Sequence, residues 1–302
     1  MNMNCTVCWE CLFKNIPTMV VGNHLSGSIF FTLQSSKNGI SKTQSAGNQR
    51  PISSLVETSE TLRAATFPKS LCEWLAGVID GDGSLQLSKK GYTSLEITMG
   101  LEDLPLLQYI QHKLGGSIKL RSGGNSYRYR IHDKKGMTIL INCINGNIRH
   151  SARLLQLHRV CLQLNIPVIQ PVLLTYSNNW FAGFFDADGT IGISMKDLIP
   201  QLSIRVGNKN LVDIEWYQKI FGGYIYFDTS KNGYYIWSIQ SRKDIAKFQI
   251  YFKSSIFRSS KSKRFFLIDK YYDLKDLKAY KETSIHHKEW LSFMENWEKL
   301  NI

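Results

Sequence analysis

The chain has 302 residues, of which 43% are apolar and 20% charged, and its formal net charge is +13. This length suits one large domain or two of ordinary size. No apolar run approaches the roughly 20 residues of a membrane helix, so the sequence predicts a protein without a membrane partner. Residues 71–302 carry 31 Lys and Arg against 21 Asp and Glu. This excess favours a polyanionic partner, with a solvated basic surface as the alternative.

Residues 1–66 differ in composition from the rest of the chain. Ser, Asn, Gly and Gln cluster there without a sustained hydrophobic period, as is typical of a poorly structured leader or linker, and the composition is compatible with an organellar transit segment. Cys5, Cys8 and Cys11 have ligand-like spacing, but a structural zinc site needs a fourth ligand and none lies nearby. The remaining cysteines are expected to be reduced core residues: Cys72, Cys143 and Cys161.

From Pro68 onward the chain consists of two similar units. The stretch "LAGVIDGDG" at 75–83 matches "FAGFFDADG" at 181–189, and further matches follow at offsets that rise from 106 to 109. Small changes in offset indicate two copies of one unit with single-residue loop insertions. The sequence therefore predicts two domains, at 67–170 and 171–302, that form a pseudo-dimer within a monomer.

The first element of each unit is predicted to be a helix. Ser70 and Glu73 have the spacing of a capping box, and apolar residues follow at helical spacing, so this helix should begin near Leu71 and end before Gly83. In the second unit an asparagine is expected to cap the corresponding helix, whose apolar stripe is aromatic. These residues are Asn178 or Asn179 for the cap, and Trp180, Phe181, Phe184 and Phe185 for the stripe.

Alternating apolar and polar residues then predict four strands in each unit. A second helix lies between the second and third strands, and a Gly pair ends it, as a left-handed cap requires. Each unit is thus an αββαββα half with one four-stranded sheet. The predicted strands are "SLQLS", "SLEITM", "SIKLR" and "YRYRIH" in the first unit, and "TIGIS", "QLSIRV", "YIYFD" and "YYIWSIQ" in the second.

Small residues in the middle of both motif helices indicate that these helices pack on each other. Gly77 and Gly183 cost helix stability, and close backbone approach is the expected compensation. Asp82 and Asp188 would then meet at the negative ends of two helices, among unpaired carbonyls. Such a set of oxygens predicts a site for Mg²⁺ or Ca²⁺. A plain Asp-Gly turn is the alternative for one motif, but its repetition favours the cation site.

The two motifs resemble those of a single-chain, two-motif LAGLIDADG homing endonuclease of the kind encoded by organellar group I introns. The resemblance extends from about Pro68 to the C-terminus. It implies an α+β fold in which two pseudo-symmetric αββαββα halves form a DNA-binding saddle of antiparallel β-sheets, with the motif helices packed at the centre. It also implies that Asp82 and Asp188 are metal ligands and catalytic residues, assisted by the carbonyls of Gly81 and Ala187.

The resemblance also implies roles for neighbouring residues. Asp80 and Asp186 are expected to serve the helix interface or its cap rather than to be principal ligands. A basic catalytic residue lines the cleavage site in each half: Lys261 matches this position, whereas the first half has Ala152 there, with Arg153 beside it as a possible substitute. Where some members have a water-holding glutamine after the second strand, this chain has Met99 and Val206.

Polar side chains on the strands predict the surface that meets DNA. Alternation places one face of each strand in the core and leaves the other for the major groove, where Arg can read guanine and Lys holds phosphates. For each residue alone, a solvated surface role is the alternative. The candidates are Lys119, Arg121, Arg128, Arg130, Arg205 and Gln240.

These features predict a site-specific DNA endonuclease for intron homing that cuts both strands of a long, at most pseudo-palindromic target. Water attacks the phosphates with Mg²⁺ present and leaves 5′-phosphate and 3′-hydroxyl ends. The resemblance implies 3′ overhangs, Mn²⁺ as a substitute, Ca²⁺ binding without cleavage, and a location in the mitochondrion or, alternatively, the chloroplast. The rival hypothesis is an RNA maturase that helps its host intron to splice without cleavage. A transcription regulator is a third option, which indifference to EDTA would favour.

Overall fold

The structure is a computed structural model that describes residues 67–255 and 257–300. The described residues belong to one compact unit, Glu57–Ile302. The expected leader at 1–66 and its three cysteines lie outside the described residues. Within the described ranges, no helix combines the length and apolar character needed to cross a bilayer.

The first half has the predicted αββαββα order and one further helix at its end. Its antiparallel sheet has the strand order β1-β2-β4-β3, with a helix between the second and third strands and two more helices after the fourth. The elements are α1 (Lys69–Asp82), β1 (Gly83–Leu87), β2 (Thr93–Gly100), α2 (Leu104–Leu114), β3 (Ser117–Leu120), β4 (Ser126–Ile131), α3 (Lys134–Ile144) and α4 (Ser151–Leu164).

The second half repeats this order and adds helices at its end. Its sheet order, β5-β6-β8-β7, is the same as in the first half. The predicted fold class is therefore confirmed. The elements are α5 (Trp180–Asp188), β5 (Gly189–Lys196), β6 (Ile199–Asn208), α6 (Glu215–Phe221), β7 (Tyr224–Asp228), β8 (Tyr234–Ile239), α7 (Arg242–Ser254), α8 (Ser262–Phe265), α9 (Ile268–Asp276) and α10 (His287–Lys299).

The two motif helices, α1 and α5, pack backbone against backbone. A Cβ atom built on Gly77 would lie 2.0 Å from the carbonyl oxygen of Trp180, and one on Gly183 would lie 1.8 Å from that of Trp74. No side chain fits into such a space, because real Cβ contacts are never this short. The expected reason for glycine in mid-helix is thus confirmed. This contact carries the two helix ends toward the same place.

The beginning of α1 differs from its prediction in how it is capped. The helix starts at Lys69 after Pro68, and no side chain caps it, so the predicted capping box of Ser70 and Glu73 is wrong. Glu73 is buried and accepts a hydrogen bond from the backbone N–H of Asn179 at 2.9 Å, in the other half. A buried carboxylate gains more from this N–H across the interface than from a solvent-exposed cap.

Glycine pairs end α2 and α6 as predicted. Gly115 and Gly116 have φ angles of 76° and 83°, and Gly222 and Gly223 have 77° and 79°. Only glycine adopts this region without strain, so each pair turns the chain directly from helix into the third strand of its sheet. In this way the turn sets the start of the strand that carries Lys119.

Candidate nuclease site

The last residues of α1 and α5 are Asp82 and Asp188, and the structure brings them together. A Cβ built on Gly81 would lie 2.4 Å from the Cβ of Ala187 and 3.1 Å from Oδ2 of Asp188. The two motifs therefore touch at the residues just before their final carboxylates. This convergence is what the small residues within the helices predicted.

The pKa values of both carboxyl groups reflect the crowding at this point. Burial, and after it the charge of Asp188, raise the pKa of Asp82 to about 7 against the opposing charges of Lys261 and Arg153. Asp188 as a whole residue is exposed, but protein surrounds its carboxylate. This local burial raises the pKa of Asp188 as well. The raised pKa values mean that burial disfavours the charged form of both carboxyl groups, even with Lys261 and Arg153 nearby. A bound cation would favour the charged form.

Lys261 lies over the end of α5. Its Nζ donates to the carbonyl oxygens of Asp186 at 2.7 Å and Phe185 at 3.3 Å, and also to that of Ala187. Burial lowers the pKa of Lys261, while the nearby aspartates, with Asp82 first, act to raise it. The lysine thus occupies the negative end of a helix dipole next to both carboxylates.

Arg153 holds the corresponding place over the end of α1. Its Nε donates to the carbonyl oxygen of Ile79 at 3.2 Å, and a terminal nitrogen donates to that of Gly81 at 3.3 Å. Ala152, which the family position pointed to, is exposed. Each half therefore places one basic side chain on the carbonyls of its own motif helix, and in the first half this residue is Arg153.

The donor set fits a hard divalent cation. Asp82 and Asp188 present carboxylate oxygens, and the carbonyls of Gly81 and Ala187, which accept from Arg153 and Lys261, stand next to them. Within 67–255 and 257–300, no group of three or more His, Cys, Asp and Glu residues could hold a metal. With only two carboxylates, a hard cation would keep coordination positions for water and for phosphate oxygens.

The earlier aspartates of the motifs bind across the helix interface. Asp80 accepts from Nε1 of Trp180 at 2.7 Å, and Asp186 accepts from Nε1 of Trp74 at 2.8 Å. Both carboxylates are buried. Their place at the interface agrees with the expectation that they are not principal ligands.

The polar face of the first sheet gathers four predicted DNA-binding residues. Directly opposite residues of antiparallel strands point to one face, and Lys119 pairs with Arg128 while Arg130 pairs with Glu96. Glu96 lies 3.8 Å from Arg128 and 3.4 Å from Arg130. Sequence reasoning missed this acid, although its place in the alternation of "SLEITM" marks it for the polar face. The four basic residues line one cleft: Lys119, Arg121, Arg128 and Arg130.

The polar face of the second sheet has a different chemical character. Arg205 lies opposite Ser238, and Ser238 lies opposite Tyr224 on the next strand. Tyr224 and Tyr226 are exposed, and their rings stack with centroids 5.8 Å apart. The side chain of Gln240 is hydrogen-bonded to a neighbour, because its Oε1 accepts from Nε2 of Gln201 at 2.7 Å. The tyrosine pair was missed, although alternation in "YIYFD" marks it.

Two positions named by the family pattern carry buried apolar side chains. Met99 and Val206 are 4% and 1% exposed, and they face Tyr127 and Trp237 across their sheets on the core side. Both side chains therefore pack in the core. Neither side chain has the amide with which the glutamine of some family members holds a water.

A comparison with protein families places both motifs in one family. The profile described as LAGLIDADG endonuclease matches residues 75–162 and again 181–272. The two matched ranges contain both motifs with their final carboxylates, both sheets, and Arg153 and Lys261. Together they span more than half of the chain.

Relatives and solved structures agree with this match. The "Probable intron-encoded endonuclease aI2" of Debaryomyces hansenii is 46% identical over 78% of this chain and 38% of its own length. The "Intron-encoded RNA maturase bI4" of Saccharomyces cerevisiae is 51% identical over 74% of this chain and 36% of its own. The chain thus spans little more than a third of either relative.

The fold has a counterpart in a solved structure. The LAGLIDADG homing endonuclease I-GzeII, in complex with its DNA target, superimposes with a TM-score of 0.56 at 18% identity, covering 74% of this chain and 97% of that one. At this identity the likeness concerns the fold alone. With the profile match to both halves and the helix pair that carries Asp82 and Asp188, the chain belongs to the LAGLIDADG endonuclease family.

Proposed function

We propose that this protein is a site-specific DNA endonuclease that hydrolyses both strands of a target in intron homing. One observation carries the proposal: two packed helices bring Asp82 and Asp188 together at their C-terminal ends, where burial raises the pKa of both carboxyl groups. Two carboxylates at two negative helix ends repel each other, so a site without a role for a cation would gain nothing from this arrangement. Family membership supports the same reaction.

The acidic and the basic residues of the site would have different roles. Asp82 and Asp188 would hold Mg²⁺, with the carbonyls of Gly81 and Ala187 beside them. Bound there, Mg²⁺ supplies Lewis-acid activation of water and neutralises charge on the phosphate. Lys261 and Arg153 stand next to the carboxylates and stabilise negative charge on the phosphate oxygens of the two strands. A water oxygen bonds to the phosphorus as the P–O3′ bond breaks, and the leaving 3′ oxygen takes a proton from solvent, which leaves 5′-phosphate and 3′-hydroxyl ends.

The partner in this proposal is a long duplex, at most pseudo-palindromic, bound by a monomer that acts as a pseudo-dimer. The polar faces of the two sheets would enter the major groove on either side of the cut, with Lys119, Arg121, Arg128 and Arg130 on one side and Arg205 and Gln240 on the other. The two faces differ in composition, so the half-sites would differ in sequence. We assign residues 67–170 and 171–302 to the two halves.

A second function has its own support. The 51% identity with a relative named an RNA maturase favours binding of host intron RNA, and the excess of basic residues suits RNA as well as DNA. Splicing assistance does not need paired carboxylates at a helix junction. We therefore propose cleavage as the activity of the Asp82–Asp188 site, with RNA binding as a separate activity of the same chain.

Intron-encoded relatives support an organellar origin, and we propose the mitochondrion as the location. Both relatives are much longer than this chain. What we state about activity, substrates and partners is therefore a proposal also for any longer protein that contains this chain.

The decisive experiment incubates the purified protein with duplex DNA that spans the intron-free insertion site. We expect cutting in Mg²⁺ or Mn²⁺, short 3′ overhangs, binding without cutting in Ca²⁺, and no cutting in EDTA. Splicing of the host intron RNA is measured with the same preparation. Splicing assistance without any cutting would favour the maturase, and DNA binding without cutting or splicing would favour a regulator.

A further inference from the structure

The loops that precede Arg153 and Lys261 present consecutive backbone N–H groups to buried carboxylates. In the first half these N–H groups belong to Arg149, His150 and Ser151. The corresponding N–H groups of the second half lie 109 residues later in the chain. They belong to Arg258, Ser259 and Ser260.

A carboxylate of the same half binds the first two N–H groups of each loop. Asp80 accepts from the N–H of Arg149 at 2.8 Å and from that of His150 at 3.3 Å. Asp186 accepts from Arg258 at 3.1 Å and from Ser259 at 2.7 Å. The motif helices thus hold the start of each loop directly.

A carboxylate of the opposite half binds the third N–H group. Asp213 follows β6 in the second half, yet it accepts from the N–H of Ser151 at 3.0 Å and from its hydroxyl at 2.9 Å. Asp103 follows β2 in the first half, yet it accepts from the N–H of Ser260 at 2.7 Å. Both aspartates are 6% exposed, so these charge-assisted bonds are shielded from water.

Of the three N–H groups, the third lies closest along the chain to the basic side chain. Lys261 follows Ser260 directly, and Arg153 lies two residues after Ser151. The donors on both side chains lie within 3.3 Å of helix-end carbonyls, so a shift of about 1 Å in the loop would break several of these bonds. The carboxylate that holds the loop therefore also sets the position of the Lys261 or Arg153 side chain.

We propose that Asp103 and Asp213 are positioning residues, each of which sets the basic side chain of the opposite half. The inference rests on the proposed function of Lys261 and Arg153 and deepens it. Because each half supplies one anchor for the other, the position of each basic residue depends in part on the docking of the two halves. The two strand cuts are thereby tied to a correctly assembled pseudo-dimer.

The test compares two substitutions of Asp103 in the full chain. Asp103→Asn keeps an oxygen that can accept from Ser260, whereas Asp103→Ala removes it. We expect Asp103→Ala to lower kcat in Mg²⁺ at least tenfold with Kd for DNA changed less than threefold, and Asp103→Asn to recover most of this loss. Asp133→Ala is the matched control, since Asp133 caps α3 through the N–H of Gly136 and touches neither loop.

A double variant separates positioning from a general loss of structure. If Asp103 acts through Lys261, then adding Asp103→Ala to Lys261→Met should slow cutting no further than Lys261→Met alone. Asp213→Ala should behave in the same way with Arg153→Met. Additive losses, an unchanged kcat for Asp103→Ala, or a loss confined to DNA affinity would overturn the proposal.

Hydrogen exchange provides a readout that does not depend on cleavage. Asp103→Ala should speed exchange in a peptide covering 258–264, with no such change in the Asp133→Ala control. If the wild-type protein cuts nothing, the proposed function fails, and exchange still reports whether Asp103 anchors the loop. If the wild type cuts and the loop exchanges equally in both proteins, only the positioning role is overturned.

Discussion

The indole of Trp74 donates its Nε1–H to the carboxylate of Asp186 at 2.8 Å, and Trp180 makes the equivalent bond to Asp80 at 2.7 Å. The guanidinium of Arg149 lies 5.7 Å from the Trp180 ring, and that of Arg258 lies 5.6 Å from the Trp74 ring. Each set joins the two halves through one buried carboxylate. These polar contacts give the helix pair a unique register that apolar packing alone would not define.

Removing one of these indole donors should weaken the docking of the halves. Trp74→Phe leaves buried Asp186 with one donor fewer, and we expect a loss of about 1–3 kcal/mol in the free energy of unfolding. Urea denaturation measures it. Trp216→Phe is the control, because Trp216 donates only to Val212 within its own segment and is partly exposed. Equal losses for both variants would mean that the cross-half bond has no special weight.

A methyl group on the helix interface should be much less tolerable than one on a strand end. Gly183→Ala would place Cβ 1.8 Å from the carbonyl oxygen of Trp74, so the helices must separate; we expect more than about 3 kcal/mol of destabilisation. Gly100→Ala is the control, since Gly100 has φ of −59° and nothing lies within 4 Å. Thermal unfolding compares the two, and a Gly183→Ala protein as stable as Gly100→Ala would contradict the close packing.

Charge removal at the helix ends should separate cutting from binding. Asp82→Asn or Asp188→Asn keeps the side-chain shape but removes a negative ligand, so we expect cleavage of both strands in Mg²⁺ to fall at least about 100-fold. DNA affinity in Ca²⁺ or EDTA should persist or rise, because repulsion of phosphate is reduced. Asp133→Asn removes the same charge at a helix cap and should cut normally. Full cutting of both strands by the Asp82→Asn protein would contradict the assignment.

The pKa of Asp82 predicts how stability depends on pH without metal. Its folded value is about 7, above the roughly 3.9 of an unfolded chain, so the folded state binds more protons between these values. Its stabilising contribution is complete below pH 4 and is lost as pH rises through 7. Asp82→Asn removes this loss, so the variant should gain stability relative to wild type as pH rises.

The difference between these two proteins is the quantity to measure. Asp80, whose pKa burial raises to about 7, and His150, whose pKa burial lowers to about 4, also contribute to the wild-type curve, with opposite signs. Both are common to wild type and variant and cancel in the difference. Thermal unfolding in EDTA from pH 5 to 8 provides it. A constant difference would show that Asp82 titrates normally in the folded protein.

The acid between the arginines of the first sheet should restrain DNA binding. Glu96→Gln leaves the shape of the sheet unchanged and releases Arg128 and Arg130 from their ion pairs, so we expect several-fold tighter binding. Stability should change by less than about 1 kcal/mol, because exposed pairs contribute little. Titrations at several salt concentrations measure affinity and slope. Weaker binding by Glu96→Gln would mean that Glu96 orients the arginines for their contacts.

Local patterns in the sequence determined the elements of this protein and the place of its carboxylates. Alternation located all eight strands in the described residues, and helical spacing located the two motif helices. These patterns succeed because strand and helix periods are properties of neighbouring residues. The repeat then placed Asp82 and Asp188 at equivalent helix ends, and Gly77 and Gly183 indicated that these ends meet.

Only the tertiary structure decided which polar groups meet across the halves. Glu73 reads as a local cap but binds Asn179, and Asp103 and Asp213 look like ordinary turn residues but hold loops of the opposite half. Their partners lie between 62 and 157 positions away along the chain. No local period encodes such pairs. They form because a buried carboxylate must find donors, and the docked halves bring those donors within reach.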